Sequence, residues 1–341
     1  MSEPSTKSPI AVTFGCEGPE LSDAEFRLFR EADPMGFVLF RRNCKTPEQT
    51  LRLTDRMRES VGRDAPVLVD QEGGRVQRLR PPVWAKDPSA RTIGDLYRRD
   101  PEKGLVAVDL LAQAIASDLL ACGIDVNAVP VLDVGHPFTH DVIGDRAYGD
   151  EVDEVIALGR AIAESMMAAG VQPIMKHIPG HGRTLCDSHQ ELPRVAVGLE
   201  ELRRIDFAPF RALIDLPWAM TAHIVFDALD PDLPATQSSV IIDRIVRGEL
   251  GFEGVLVTDD LSMEALDGTI DKRAVNSLKA GCDIALHCNG KLEDMEILAG
   301  AVPPLTDAAQ DRLQRAKNRV AKPDPIDATE ARRQVSDWLA A

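Results

Sequence analysis

The sequence predicts an α/β fold, a single TIM-type (β/α)8 barrel with a C-terminal helical extension. Three observations carry that reading. Eight short aliphatic runs recur along 341 residues, longer amphipathic stretches separate them, and no glycine-rich nucleotide fingerprint follows the first run. The runs are Ile10 to Phe14, Phe37 to Phe40, Val67 to Asp70, Ile124 to Val126, Pro173 to Lys176, Trp218 to Thr221, Val255 to Thr258 and Ile284 to Leu286. They lack the alternation of a half-exposed sheet, as parallel strands covered on both faces should. Strict strand–helix alternation also permits an open doubly wound sheet, but eight strands favour closure.

Helical spacing is clearest over Pro101 to Cys122, where Leu105, Val108, Leu111, Ala112 and Ile115 share a face. It recurs over Glu151 to Ala169, Leu199 to Ile214 and Ser238 to Glu249. Gly123, Gly170 and Gly281 each follow such a run and precede a strand, where a left-handed cap residue is wanted. The Pro-rich, charged stretch from Arg80 to Ser89 reads as a long loop. KPDPID, Lys322 to Asp327, reads as a linker, which divides the chain into a barrel over 1–321 and an outer segment over 322–341 whose helix, Ala328 to Leu339, packs on the barrel.

Composition narrows the class of protein. With 44% hydrophobic, 28% charged and 4% aromatic residues, a sizeable aliphatic core is available. The excess of 55 acidic over 39 basic residues gives a formal charge of -16, which repels nucleic acid and anionic membrane surfaces, so neither is an expected partner. Met1 to Gly18 has no signal-peptide core, and no later run is expected to reach the roughly 18 apolar residues of a membrane span, so the expected location is the cytoplasm. Six cysteines without a CxxC pair read as reduced thiols, mostly buried. A monomer is expected.

Ionisable residues gather where the strands end: Asp70, Asp133, Lys176, His177, His223, Asp259, Asp260 and His287. In a barrel these ends share one mouth, where catalytic groups sit. Asp259 directly follows VLVT and would be held on a rigid strand end, as a carboxylate nucleophile requires, although a helix N-cap is the bland alternative. The run KHIPGHGRTLCDSHQELP, Lys176 to Pro193, holds three histidines, a lysine and an aspartate with little periodicity. Within it Asp187 and His189 are two apart, so the carboxylate could fix the imidazole tautomer and leave a proton to donate. A capped turn with an exposed His189 is the alternative.

DQEGGRVQR, Asp70 to Arg78, places a glycine pair where a loop could pass close to a ligand. Asp70 and Arg78 suit hydroxyl-rich substrates, with a plain salt bridge as the competing reading. A metal-dependent hydrolase using His177, His181, His189 and His223 stays open, as does a non-catalytic sugar-binding protein, although HExxH is absent.

KHIPGHG, four residues, then DSH, together with DQEGGRVQR, GDRAYGD and TDDLSM, resembles the bacterial β-N-acetylhexosaminidases of glycoside hydrolase family 3, with Ile178 where phenylalanine is more usual and Cys186 just before DSH. The resemblance implies a (β/α)8 barrel with no cofactor or metal. It implies Asp259 as nucleophile, His189 paired with Asp187 as general acid and base, and substrate-binding roles for Asp70, Arg78, Arg146, Lys176 and His177. The loop bearing His189 is then expected to close over substrate. At this length the chain is expected to lack the further domain that supplies a different acid in many members. The implied substrate is N-acetylglucosamine β-1,4-linked to 1,6-anhydro-N-acetylmuramic acid, with or without peptide, in peptidoglycan recycling.

Overall fold

The computed structural model describes residues 8–186, 191–322 and 324–341. Its eight barrel strands are β1 (Ile10–Phe14), β2 (Pro34–Leu39), β3 (Val67–Val69), β4 (Val126–Asn127), β5 (Gln172–Ile178), β6 (Trp218–Thr221), β7 (Val255–Asp260) and β8 (Ile284–His287). Each pairs in parallel with its neighbour in sequence, and β8 closes on β1 through Val12–Ala285, Thr13–Leu286 and Phe14–His287. The eight aliphatic runs are thus the eight staves. Most strand residues are fully buried, which is why no polar alternation marks them. A small parallel pair outside the barrel, Arg194–Val195 with Val225–Phe226, carries no pattern that the sequence could betray, being two residues long on each side.

The helices between strands start and stop where local chemistry supplies caps. Ser22 and Glu25 form a reciprocal capping box at the start of Asp23–Ala32, Thr46 caps Pro47–Val61, and Ser89 caps Ala90–Arg99. Gly123, Gly170 and Gly281 all take positive φ at the helix ends where the sequence placed them. Two expectations change. The single helix expected over Leu199 to Ile214 breaks into Leu199–Glu201, a wider turn over Leu202–Asp206 and Ala208–Ala212, because Pro209 has no N–H to continue the ladder. And Leu105, assigned to the apolar face of its helix, is 38% exposed.

That helix, Pro101–Ala121, is long and apolar enough to cross a membrane, contrary to the expectation from the runs. Here half of it is covered: it packs on Ala90–Arg99, on Val152–Ala168 and on Ala328–Ala340. Its charges are also used inside the fold, Asp109 accepting from Ser165 Oγ at 2.6 Å and Asp118 from Arg332 at 2.7 Å. Such pairing suits a core helix of a barrel.

The helix Ala328–Ala340 begins on Asp327, whose carboxylate caps Thr329 and Glu330. Arg332 reaches from it to Asp87 at 2.7 Å, and Asp87 in turn donates its N–H to Gln77 and accepts from Gly74 N–H. The last helix therefore braces the long loop that leaves β3.

Candidate active site

The C-terminal ends of the strands surround a cavity of about 240 Å³. Eight residues singled out in the sequence line it: Asp70, Arg78, Arg146, Lys176, His177, His181, Asp259 and Asp260. They come from four separate stretches of chain, and the barrel alone makes them neighbours.

Asp70 stands just past β3 and accepts from Lys176 Nζ at 2.7 Å and from Arg78 at 2.8 Å. The salt bridge of Asp70 and Arg78 is thus formed, and it lies in the cavity wall. Arg78 also lies over the Phe40 ring, 4.7 Å from its centroid, which fixes the plane of the guanidinium. Burial opposes the charge on Asp70, but Lys176 and Arg78 outweigh it and hold the carboxyl far below its usual range.

Glu72 was not singled out. Two residues beyond Asp70 on extended chain, it faces the same side, and that spacing was the available signal. It accepts from Arg146 through both oxygens at 2.8 Å and from Lys176 at 2.5 Å. Burial raises its carboxyl, yet Arg146 and Lys176 bring it down to about 2. A buried carboxylate thus spaces two cations that would otherwise repel.

Because the folded value lies below the ordinary 4.5, the stabilisation is complete above pH 4.5 and is lost as pH falls toward 2. Glu72→Gln is expected to cost about 3 kcal/mol at pH 7, as when one partner leaves a buried ion pair. The gap to the parent should then narrow by about 1.4 kcal/mol for each pH unit below the ordinary carboxylate range. Urea denaturation of both proteins from pH 7 to pH 3 checks it, and a gap that stays constant rejects the assignment.

Near the end of β5 stand Lys176 and His177, joined by a cis peptide bond. His177 Nδ1 lies 2.7 Å from Asp133, and the backbone N–H groups of His177 and His181 donate to the other oxygen of the same carboxylate at 3.2 and 2.7 Å. Asp133 was noted only as one of the polar residues near strand ends. Gly182 explains the glycine in the motif: a Cβ there would stand 1.9 Å from the Val134 carbonyl oxygen. The loops after β4 and β5 are packed backbone to backbone.

Asp259 lies on the last turn of β7 and is partly buried at the cavity floor, accepting from the Asp260 N–H at 2.8 Å. Burial alone would raise its carboxyl. His177, His223, that N–H and Lys176 together hold it below the ordinary value, so the group is ionised near neutrality. The helix N-cap alternative does not apply, since the chain is still strand there. Asp260 is occupied by Ser262 and by the Cys288 N–H.

Two histidines gathered with the strand-end group lie elsewhere. His223 is fully buried behind the acidic pair, bonded to Thr236 Oγ1 at 2.7 Å and to the Asp260 carbonyl at 3.1 Å. His287 is also buried and packs edge-on against Phe14, because Leu286 on β8 and Cys288 just past its end take the two cavity-facing positions. Among the described residues no group of three or more His, Cys, Asp or Glu side chains is placed to hold a metal ion. Asp187 and His189, the expected acid/base pair, lie outside the described residues.

Residues 24–322 match the family model described as the glycosyl hydrolase family 3 N terminal domain. The chain belongs to glycoside hydrolase family 3. It is 41% identical over 279 residues to a beta-hexosaminidase of Alkalilimnicola ehrlichii, covering 81% of this chain and 79% of that protein. A beta-hexosaminidase of Bordetella avium is 35% identical over 328 residues, 94% of this chain and 92% of its own. Among solved structures, NagZ from Neisseria gonorrhoeae in complex with N-trifluoroacetyl-D-glucosamine superposes with a TM-score of 0.88 at 29% identity, covering 98% of this chain and 99% of that one. This family 3 chain is a glycoside hydrolase built on a TIM-type barrel.

Proposed function

We propose that this family 3 enzyme is a retaining, exo-acting β-N-acetylglucosaminidase that releases terminal N-acetylglucosamine from 1,6-anhydro-N-acetylmuramic acid fragments, with or without peptide. The observation that carries the reading is Asp259, ionised at the floor of a cavity walled by the charged groups of Asp70, Arg78, Arg146 and Lys176 and by the His177 imidazole. Alternating carboxylates and fork-shaped or point cations suit the vicinal hydroxyls of one pyranose. A volume of about 240 Å³ suits one ring and no extended chain, which favours removal from the end. The amino-sugar preference rests on the beta-hexosaminidase relatives and on the glucosamine-derived ligand of the NagZ complex.

In the proposed reaction Asp259 attacks the anomeric carbon while His189, oriented by Asp187, protonates the departing oxygen. The glycosidic bond breaks as the carboxylate–sugar ester forms, and His189, now a base, takes a proton from the water that hydrolyses the ester. Two inversions return the β configuration. Histidine in the acid role avoids a second fixed negative charge beside an anionic muramyl leaving group. The setting proposed is peptidoglycan recycling in the cytoplasm, with the protein acting as a monomer.

Proton NMR during the first minutes of hydrolysis of a synthetic β-N-acetylglucosaminide is the test. The expected first product is the β anomer, at a rate unchanged by a chelator. The α anomer first would exclude a double displacement, loss of turnover with the chelator would favour the metal-dependent reading, and no turnover would leave a sugar-binding protein.

A further inference from the structure

We infer that Asp133 is the positioning residue that sets which ring nitrogen His177 presents to the sugar. Asp133 sits in the loop after β4, fully buried, and three donors from the end of β5 and the loop that follows it converge on it. One oxygen, Oδ1, takes both backbone N–H groups, of His177 at 3.2 Å and His181 at 2.7 Å. The other, Oδ2, faces His177 Nδ1 at 2.7 Å. An ionised carboxylate can only accept, so the imidazole must carry its proton on Nδ1.

The far side of the ring agrees with that assignment. His177 Nε2 lies 3.4 Å from a terminal guanidinium nitrogen of Arg146, which can only donate, and Arg146 is itself held by both oxygens of Glu72. Donor, acceptor, donor and acceptor therefore alternate from Arg146 through the ring to Asp133. His177 and Arg146 both line the cavity, so a sugar hydroxyl that takes the place of the long Arg146 contact meets the Nε2 lone pair.

Asp133→Asn reverses this wiring with almost no change in shape. The two backbone N–H groups demand an acceptor at the Oδ1 position, so the amide oxygen must stay there and its NH2 must face Nδ1. Nδ1 is then forced to accept, the ring proton moves to Nε2, and it confronts the Arg146 donor. The sugar meets a donor where it met an acceptor. The inference rests on the proposed function in one respect, that His177 faces the substrate, whereas the ring tautomer can be read without any substrate.

Nitrogen-15 NMR of ring-labelled histidines, with His177→Gln to assign the signal, should show Nδ1 protonated in the parent and Nε2 protonated in Asp133→Asn. The kcat/KM of Asp133→Asn on an aryl N-acetylglucosaminide should fall about 10- to 100-fold, the scale on which lost orienting partners of histidine are felt. On a His177→Gln background the same change should cost less than about threefold, because the effect passes through the ring. A ring that keeps Nδ1–H in Asp133→Asn, or an equal loss on both backgrounds, overturns the inference. Should Asp133→Asn fail to fold, the parent spectrum decides, and a bare Nδ1 between pH 6 and 8 is fatal. A tautomer exchange in a protein without glucosaminidase activity would sink the proposed function and leave this inference standing.

Discussion

Asp259→Ala is expected to lower kcat on every β-N-acetylglucosaminide by at least about 10⁴-fold, the scale seen when a covalent nucleophile is removed. No neighbour can substitute. Asp260, the adjacent carboxylate, also lines the cavity but is held by Ser262 Oγ at 2.6 Å and by the Cys288 N–H at 3.1 Å, and Asp70 is locked between Lys176 and Arg78. The shortened side chain leaves room at the cavity floor, so azide added to Asp259→Ala with an activated aryl glycoside should yield the α-glycosyl azide. Chromatography and NMR of that product check both parts. Residual turnover above about one per cent, or a β-azide, would remove Asp259 from the attacking role. In the parent, the carboxyl held below its ordinary value keeps the nucleophile charged, so the acid limb of kcat/KM should lie below pH 3.8 unless the acid/base group intervenes.

His189→Ala should separate substrates by their leaving groups. For an alkyl or sugar leaving group that needs a proton, kcat/KM is expected to drop about 10²- to 10⁴-fold, the usual contribution of general acid catalysis. For a dinitrophenyl glycoside the bond breaks unaided, so the first step should be nearly untouched while loss of the base slows hydrolysis of the ester. A burst of dinitrophenol in stopped flow, followed by slow steady turnover, is the expected record. Equal collapse on both substrates would remove His189 from proton transfer. Asp187→Asn should follow the same pattern more mildly, because it alters orientation and proton affinity without deleting the ring.

The barrel was legible because a parallel strand buried on both faces has to be continuously aliphatic, and the eight runs from Ile10 to Leu286 each became a stave. Ends were less legible. β5 runs on through Lys176 and His177 to Ile178, since the charge on Lys176 is neutralised by Asp70 and Glu72 within the barrel. The Pro209 break shows the same limit from the other side: periodicity suggested one helix where a missing N–H allows two short pieces.

At the site, motif and strand-end position together found eight of the cavity's functional groups. Glu72 escaped, and Asp133 was found without its role, because both act on other side chains, and only a fold brings Glu72 to Arg146, 74 positions along the chain, or Asp133 to His177, 44 along. His287 was misplaced for a simpler reason. Strand parity decides which residues look inward, and at the end of β8 it favours Leu286 and, one step past the strand, Cys288.

The brace from the last helix has a reach beyond its location. Arg332 holds Asp87, Asp87 holds the Gly74 turn, and that turn leads directly into Arg78, one of the residues proposed to bind the sugar. Trimming the polypeptide before Arg332 would spare every group in the cavity and is still expected to slacken the proposed hold on the sugar, so the outermost helix is no dispensable tail for engineering.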